Sequence, residues 1–238
     1  MITVVFFLWH DPQSQWRSEY TYDFDYVHRA MQMVDEHLTV SHEFVLVTDY
    51  YMPRFHDVDN FRIIPIDKNL YIPGKRYQKL MIFKPDAEEL FGKRILMLDL
   101  DNVILNNIDD LVSRTEDIVL WKNPTNHKNT KYNTSVVLLK AGSRPFVWTE
   151  FNIRHVPTII RRERLSGTDQ AWVSRILDGE ATWTKDDGIC SFTYDFIKPE
   201  INIGSDVKIL SFNGRISPMS KVVKEKYPYI YNYYARLI

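Results

Sequence analysis

The chain has 238 residues, 45% of them hydrophobic, which is enough to bury one substantial core. A formal net charge of -1 excludes the basic balance of a nucleic-acid or anionic-membrane binder, and the single cysteine, Cys190, excludes an internal disulfide. The first apolar run is a poor signal peptide and too short to span a bilayer, so a cytoplasmic protein without a membrane span is expected.

Residues 2–8 (ITVVFFL) are β-branched and aromatic without polar alternation, the pattern of a strand covered on both faces. Asp11, Pro12, Gln13 and Ser14 end it. Phe24, Val27, Met31, Val34 and Leu38 recur at helical spacing and predict an amphipathic helix over residues 22–38. Residues 44–48 (FVLVT) and 61–66 (FRIIPI) read as strands, with Pro65 placing the second at a sheet edge. Residues 77–83 predict another helix, apolar at Tyr77, Leu80, Met81 and Ile82 with Lys79 interleaved. Residues 95–98 form a fourth buried strand, completing the alternation of an open α/β sheet. Strands follow at 118–121 (IVLW) and 135–139 (SVVLL), then a mixed stretch at 148–164 with a break at Pro157. A short helix capped by Thr168 spans 169–177, and residues 208–212 make a last strand before Gly214 and Pro218. With no repeat, low-complexity tract or obvious linker, residues 1–238 read as one domain.

The fourth strand ends in Asp99-Leu100-Asp101. On an extended backbone two aspartates spaced by two leave the strand on the same side. Carboxylates that close repel unless a cation, a shared proton or a strong donor offsets them, and a hard divalent ion is the simplest partner. Ligands of open α/β sheets bind beyond the carboxyl ends of the strands, which is where this pair sits. The tripeptide alone also fits the ordinary preference of Asp for strand ends.

Five segments arrive in one order. They are Tyr77-Gln78-Lys79-Leu80, the string from Arg94 to Asp101 continued by Asn107-Ile108-Asp109-Asp110-Leu111, Tyr132 to Leu139, Asp169-Gln170, and Ser211-Phe212-Asn213-Gly214-Arg215 with Pro218. Together they resemble metal-dependent nucleotide-sugar glycosyltransferases of the GT-A fold. They are most similar to the retaining family 8 group that includes glycogenin and bacterial galactosyltransferases. The resemblance implies a single-domain α/β fold, a Rossmann-like open twisted, mostly parallel sheet flanked by helices. It implies transfer of a hexose from a nucleoside diphosphate sugar, a UDP-sugar first, to the hydroxyl of a glycan or other acceptor. Asp99 and Asp101 would hold Mn²⁺ or Mg²⁺, which neutralises the departing diphosphate. Asp169 would bind the donor sugar's hydroxyls and Gln170 would lie close to the reacting centre. Trp9, His10, Arg76, Lys79, Leu100, Asn133, Gly214 and Arg215 would line the donor site.

The C-terminal segment departs from the better-known pattern H-F-x-G-x-x-K-P, since Ser211 stands at its histidine and Ser217 at its lysine. Against a related pattern, S-F-H-G-R-x-x-P, Asn213 replaces the histidine. The amide oxygen of Asn213 could serve as a neutral third metal ligand and Arg215 could supply the lysine's charge.

Each residue also has an ordinary reading. Asn133 would bond its own backbone in an Asn-Thr-Ser turn, Asp169 would favour a helix N-terminus, and His10, Arg76 and Lys79 would be structural or solvated. Two rivals concern the whole chain. Residues 99–103 fit the D-x-D-x-[TV] motif of haloacid-dehalogenase-like phosphatases, with Lys185-Asp186-Asp187 as their downstream basic and acidic groups. That motif usually follows the first strand of its fold, whereas three strands precede it here. The altered C-terminal segment also leaves open a silent sugar-binding module. Loops at 123–131 and 151–167, with Arg154, Arg161, Arg162 and Arg164, would build the acceptor side, unless those arginines are a solvated helix face.

Overall fold

The runs that lack polar alternation lie where both faces of a sheet are covered. In the computed structural model, which describes residues 1–10, 22–50, 59–67, 70, 77–125, 129–198, 202–212 and 216–237, β1 (Ile2–Leu8) is buried at every residue. It pairs in parallel with β2 (His42–Thr48) and with β4 (Arg94–Leu98), so that Val4 lies between Phe44 and Leu96. The sheet has seven strands in the order β3-β2-β1-β4-β7-β6-β8, the others being β3 (Phe61–Pro65), β6 (Ile118–Lys122), β7 (Tyr132–Lys140) and β8 (Ala181–Trp183). Only β7 runs against its neighbours. Pro65 ends β3 at the sheet's edge, where its missing amide proton breaks no ladder.

Alternate residues of each strand feed two cores, as the two-residue period requires. Val4, Phe6, Leu96 and Leu98 meet Val27, Met33 and Val34 of α1 (Phe24–His37) on one face. Val5, Ile95 and Met97 meet Leu80, Ile82, Phe91 and Trp172 on the other. Asp23 caps α1, its side chain accepting from the amides of Asp25 and Tyr26 at 3.1 and 3.3 Å.

Several expectations change in detail. Residues Tyr77–Phe83 form a 3-10 helix, buried at every position but Lys79, rather than an amphipathic α-helix. Pro157 opens α5 (Val156–Glu163) and does not break a helix, because a first-turn amide has no intrahelical partner to lose. Short helices α2 (Ala87–Phe91), α3 (Asp109–Val112) and α4 (Phe146–Thr149) join the longer ones. The 169–177 expectation becomes α6 (Asp169–Ile176), with the Thr168 side chain accepting from the Ala171 amide at 3.3 Å.

A second sheet was not expected as such. β5 (Asn102–Ile104) pairs antiparallel with β10 (Ile209–Ser211), which pairs in parallel with β9 (Ile189–Ser191). It carries the C-terminal motif to the first one, the Phe212 amide donating to the Asp101 carbonyl at 3.3 Å. Helices α7 (Lys221–Lys226) and α8 (Pro228–Ala235) then close over α1. Among the described residues no helix is long and apolar enough to cross a membrane.

Candidate active site

Because β7 is antiparallel, its first residues lie at the same edge as the last residues of β1, β4 and β6. That edge gathers Trp9 and His10 after β1, Asp99 to Asp101 after β4, Asn133 and Thr134 at the start of β7, and the first turn of α6. The α6 turn is tied in by the Thr134 hydroxyl, which donates to Asp169 at 2.5 Å.

The two aspartates do not alternate on an extended backbone. β4 stops at Leu98, the Asp99 amide donates to the Ser135 carbonyl at 2.9 Å, and the Asn102 amide donates to the Asp99 carbonyl at 3.1 Å, closing a turn. Each carboxylate therefore finds its own donor. Lys79 Nζ lies 2.5 Å from Asp99 Oδ1, and the Tyr22 hydroxyl donates to Asp101 Oδ2 at 2.7 Å. Lys79 also lies 3.8 Å from Asp169 Oδ2, so one half-buried ammonium bridges a half-buried and a buried carboxylate. Burial, with the charge of Asp169 adding, pushes the Tyr77 hydroxyl up, so that phenol stays protonated beneath the site.

The other expected residues differ in what they offer. Asn133 sits within β7 and not in a turn, and its Oδ1 accepts from the Ser135 amide at 2.8 Å, so its amide oxygen already has a partner on its own backbone. Leu100 is buried in the core below the edge, which leaves only its backbone for a ligand. His10 is exposed, its amide donating to Asp49 Oδ1 at 2.9 Å and its ring Nδ1 3.4 Å from the Tyr50 hydroxyl. Trp9 packs half-buried on the core that holds Tyr77. Gln170 is half-buried on the first turn of α6. Arg76, Asn213, Gly214 and Arg215 lie outside the described residues.

Ser211 is fully buried opposite Asn102 in the small sheet. Asn102 Nδ2 donates to the Ser135 carbonyl at 2.8 Å, while Asn102 Oδ1 and Ser211 Oγ have no partner among the described residues. Among the described residues no group of three or more His, Cys, Asp or Glu could enclose a metal ion. Tyr22 carried no signal in the sequence. Thr134 was visible only inside the Tyr132 to Leu139 string.

This architecture has counterparts among solved structures. The glycosyltransferase GlyE from Streptococcus pneumoniae TIGR4 superposes with a TM-score of 0.67 at 13% identity, over 100% of this chain and 63% of its own. The galactosyltransferase LgtC, in complex with donor and acceptor sugar analogs, gives 0.64 at 11% identity over 97% and 95% of the two chains. The bifunctional glycosyltransferase WbbM gives 0.62 at 9% identity, over 99% of this chain and 49% of its own. The chain has a glycosyltransferase fold. No family model and no curated protein sequence matches it.

A glycosyltransferase fold removes the architectural ground for the phosphatase reading. The aspartates follow the fourth strand in the chain, not the first. Lys185–Asp187 forms a capped turn in which Asp187 Oδ2 accepts from the Thr184 amide at 2.8 Å, a structural task for that carboxylate.

Proposed function

We propose that the chain transfers a hexose from a nucleoside diphosphate sugar, a UDP-sugar first, to the hydroxyl of a glycan or other acceptor, with retention at the anomeric carbon and in the cytoplasm. The observation that carries this reading is the Asp99–Lys79–Asp169 bridge, set beside the Asp101 turn at the carboxyl edge of the sheet. Asp99 and Asp101 offer only oxygen donors, which suits the hard cations Mn²⁺ and Mg²⁺. Among the described residues no cluster of three His, Cys, Asp or Glu is present, so the substrate's phosphates and Asn213 would supply the remaining ligands. Such an ion supplies the charge that neutralises the departing diphosphate.

The chain's own residues orient the donor. Thr134 and Lys79 both hold Asp169 Oδ2, which leaves Oδ1 to accept from the sugar's hydroxyls. Lys79 keeps Asp99 and Asp169 at a fixed separation while adding positive charge near the phosphates. Gln170, half-buried beside Asp169 on the first turn of α6, would lie next to the reacting carbon. A solved form of LgtC with a glutamine-to-glutamate change in its active site supports giving a glutamine this place. The acceptor attacks from the face the diphosphate leaves, and a departing phosphate oxygen takes its proton. Cys190 is unsuited to be a nucleophile, because burial, with nearby aspartates adding, pushes its thiol up to about 12.

Thermal scanning with UDP or GDP plus Mn²⁺ is expected to raise the melting temperature, and mass spectrometry with a panel of UDP- and GDP-sugars to show transfer or donor hydrolysis. Asp101→Ala is expected to abolish metal-dependent turnover in a folded protein. Absence of any nucleotide shift, together with phosphate release from p-nitrophenyl phosphate, would overturn the reading. Nucleotide binding without transfer or hydrolysis would leave a sugar-binding module.

A further inference from the structure

Arg29 lies on the face of α1 that carries Tyr26 and Met33, at the three- and four-residue spacing that aligns side chains. Met33 Sδ accepts from the Ile104 amide, so this face looks toward the small sheet and the C-terminal helices. Arg29 is 7% exposed. Its guanidinium carbon is 5.1 Å from the centre of the Tyr234 ring and 6.0 Å from that of Tyr26. Among the described residues it has no carboxylate partner, and its Nε–H is buried without an acceptor. Ring faces attract a cation by up to about 2 kcal/mol when water is excluded. They accept little from N–H groups, and a buried charge without a counter-ion is strongly unfavourable.

The described surroundings add hydroxyls. The Tyr234 hydroxyl and Ser220 Oγ are buried without partners. The Tyr26 hydroxyl lies 2.9 Å from Ser217 Oγ, and the Ser220 amide donates to the Ser217 carbonyl at 2.9 Å, so both serines belong to one turn. Tyr22, which donates to Asp101, meets Tyr26 edge-on at 5.0 Å. Burial chiefly raises the hydroxyls of Tyr26 and Tyr234, with the charges of Asp23 and Asp101 adding to both shifts and that of Arg29 opposing them. A guanidinium without an ion-pair contact among the described residues and a set of hydroxyls that can donate thus stand near the Asp101 turn.

We propose that Arg29, with Tyr234 and the Ser217–Ser220 turn, is a binding site for the diphosphate of the nucleotide donor. The inference rests on the proposed transferase reading and names a phosphate-binding element in it. Phosphate oxygens only accept, which suits the unpartnered Arg29 N–H and the unpartnered hydroxyls of Tyr234 and Ser220. The positive charge absent at Ser217 is supplied from α1, and the Tyr26–Ser217 contact joins the two places.

The test uses calorimetric titration of the full chain with UDP plus Mn²⁺ and with uridine, for wild type, Arg29→Met, Arg29→Gln and the double variant Arg29→Met/Ser217→Lys. GDP and guanosine replace them if wild type binds GDP instead. Arg29→Met is expected to keep or raise the melting temperature of the ligand-free protein, since an unpaired buried charge is removed. It should weaken UDP binding at least about tenfold while leaving uridine within about twofold. The added lysine should recover most of the loss. If Arg29→Met fails to fold, Arg29→Gln is read in the same way. Wild-type UDP affinity in either variant would overturn the proposal. So would equal loss of UDP and uridine with a lowered melting temperature, or failure of both variants to fold. A wild-type protein that binds no nucleoside diphosphate would instead overturn the transferase reading on which the proposal rests.

Discussion

Lys79 is the side chain on which the candidate site depends most. Its side chain is 11% exposed, that of Asp99 22% and that of Asp169 5%, so the bridge is poorly screened by solvent. Removing one partner of such a bridge leaves uncompensated charge, which typically costs about 3–5 kcal/mol. Lys79→Met is therefore expected to lower the urea midpoint by an amount corresponding to about 3 kcal/mol, with Mn²⁺ recovering part of the loss. Asp169→Asn should behave differently. The Thr134 hydroxyl keeps an amide oxygen to donate to, so stability changes little while transfer falls about a hundredfold or more, measured as donor turnover. The aspartates were legible because 18 residues around them form one recognisable string. Their partners were less so. The Tyr22 to Asp101 bond spans 79 positions, and no local pattern announces a contact of that range.

Elements were legible in proportion to how many periods they contain. The buried strands and α1 run for five residues or more and repeat their pattern, so they fell within a few residues of expectation. The shorter strands β5, β8, β9 and β10 have three residues each, too few to display a period, and of these only β10 was foreseen, inside a longer apolar run. The 3-10 helix shares its apolar spacing with an α-helix, and only its tighter i→i+3 hydrogen bonding tells them apart. α8 holds four tyrosines with Ile230 and a single Asn232 between them and shows no clear apolar stripe. The start of α6 was legible because Thr168 precedes an acid at the first helical position. Thr168→Ala removes one bond to the Ala171 amide, which is long at 3.3 Å, so a loss of about 0.5–1 kcal/mol is expected. The melting temperature should fall by about 1–4 °C in a chain this size. Asp169 and Gln170 ride on that first turn, so turnover should fall as well, and Thr168→Ser should restore both.

At the scale of the whole molecule, the sequence end is pinned to the start of the sheet by groups that respond to pH. His37, at the end of α1, has its Nε2 3.0 Å from the Tyr233 hydroxyl of α8, a pairing across 196 positions. Tyr233 and Arg236 also reach Glu36, at 3.2 and 3.3 Å. Burial chiefly holds the His37 pKa below its usual value, with Arg236 adding and Glu36 opposing. In the unfolded chain His37 takes up a proton below about pH 6.5, while the folded chain resists it, so the unfolded state binds more protons in that window. Stability from this group is thus complete above about pH 6.5 and is lost as the pH falls from there through the folded-state value. The urea midpoint of the wild-type protein should drop between pH 7 and pH 5.5, and His37→Gln should flatten that drop. Amide exchange should show α8 opening before the central sheet as the pH falls, because α8 is anchored to α1 through His37 whereas β1 is buried at all of its residues. A His37→Gln protein with an unchanged slope between pH 7 and pH 5.5 would overturn the assignment to His37, and Glu43 does not replace it in that window. Burial alone would raise Glu43, but Arg62 and Thr3 hold it below the usual range, so its contribution is lost only at lower pH.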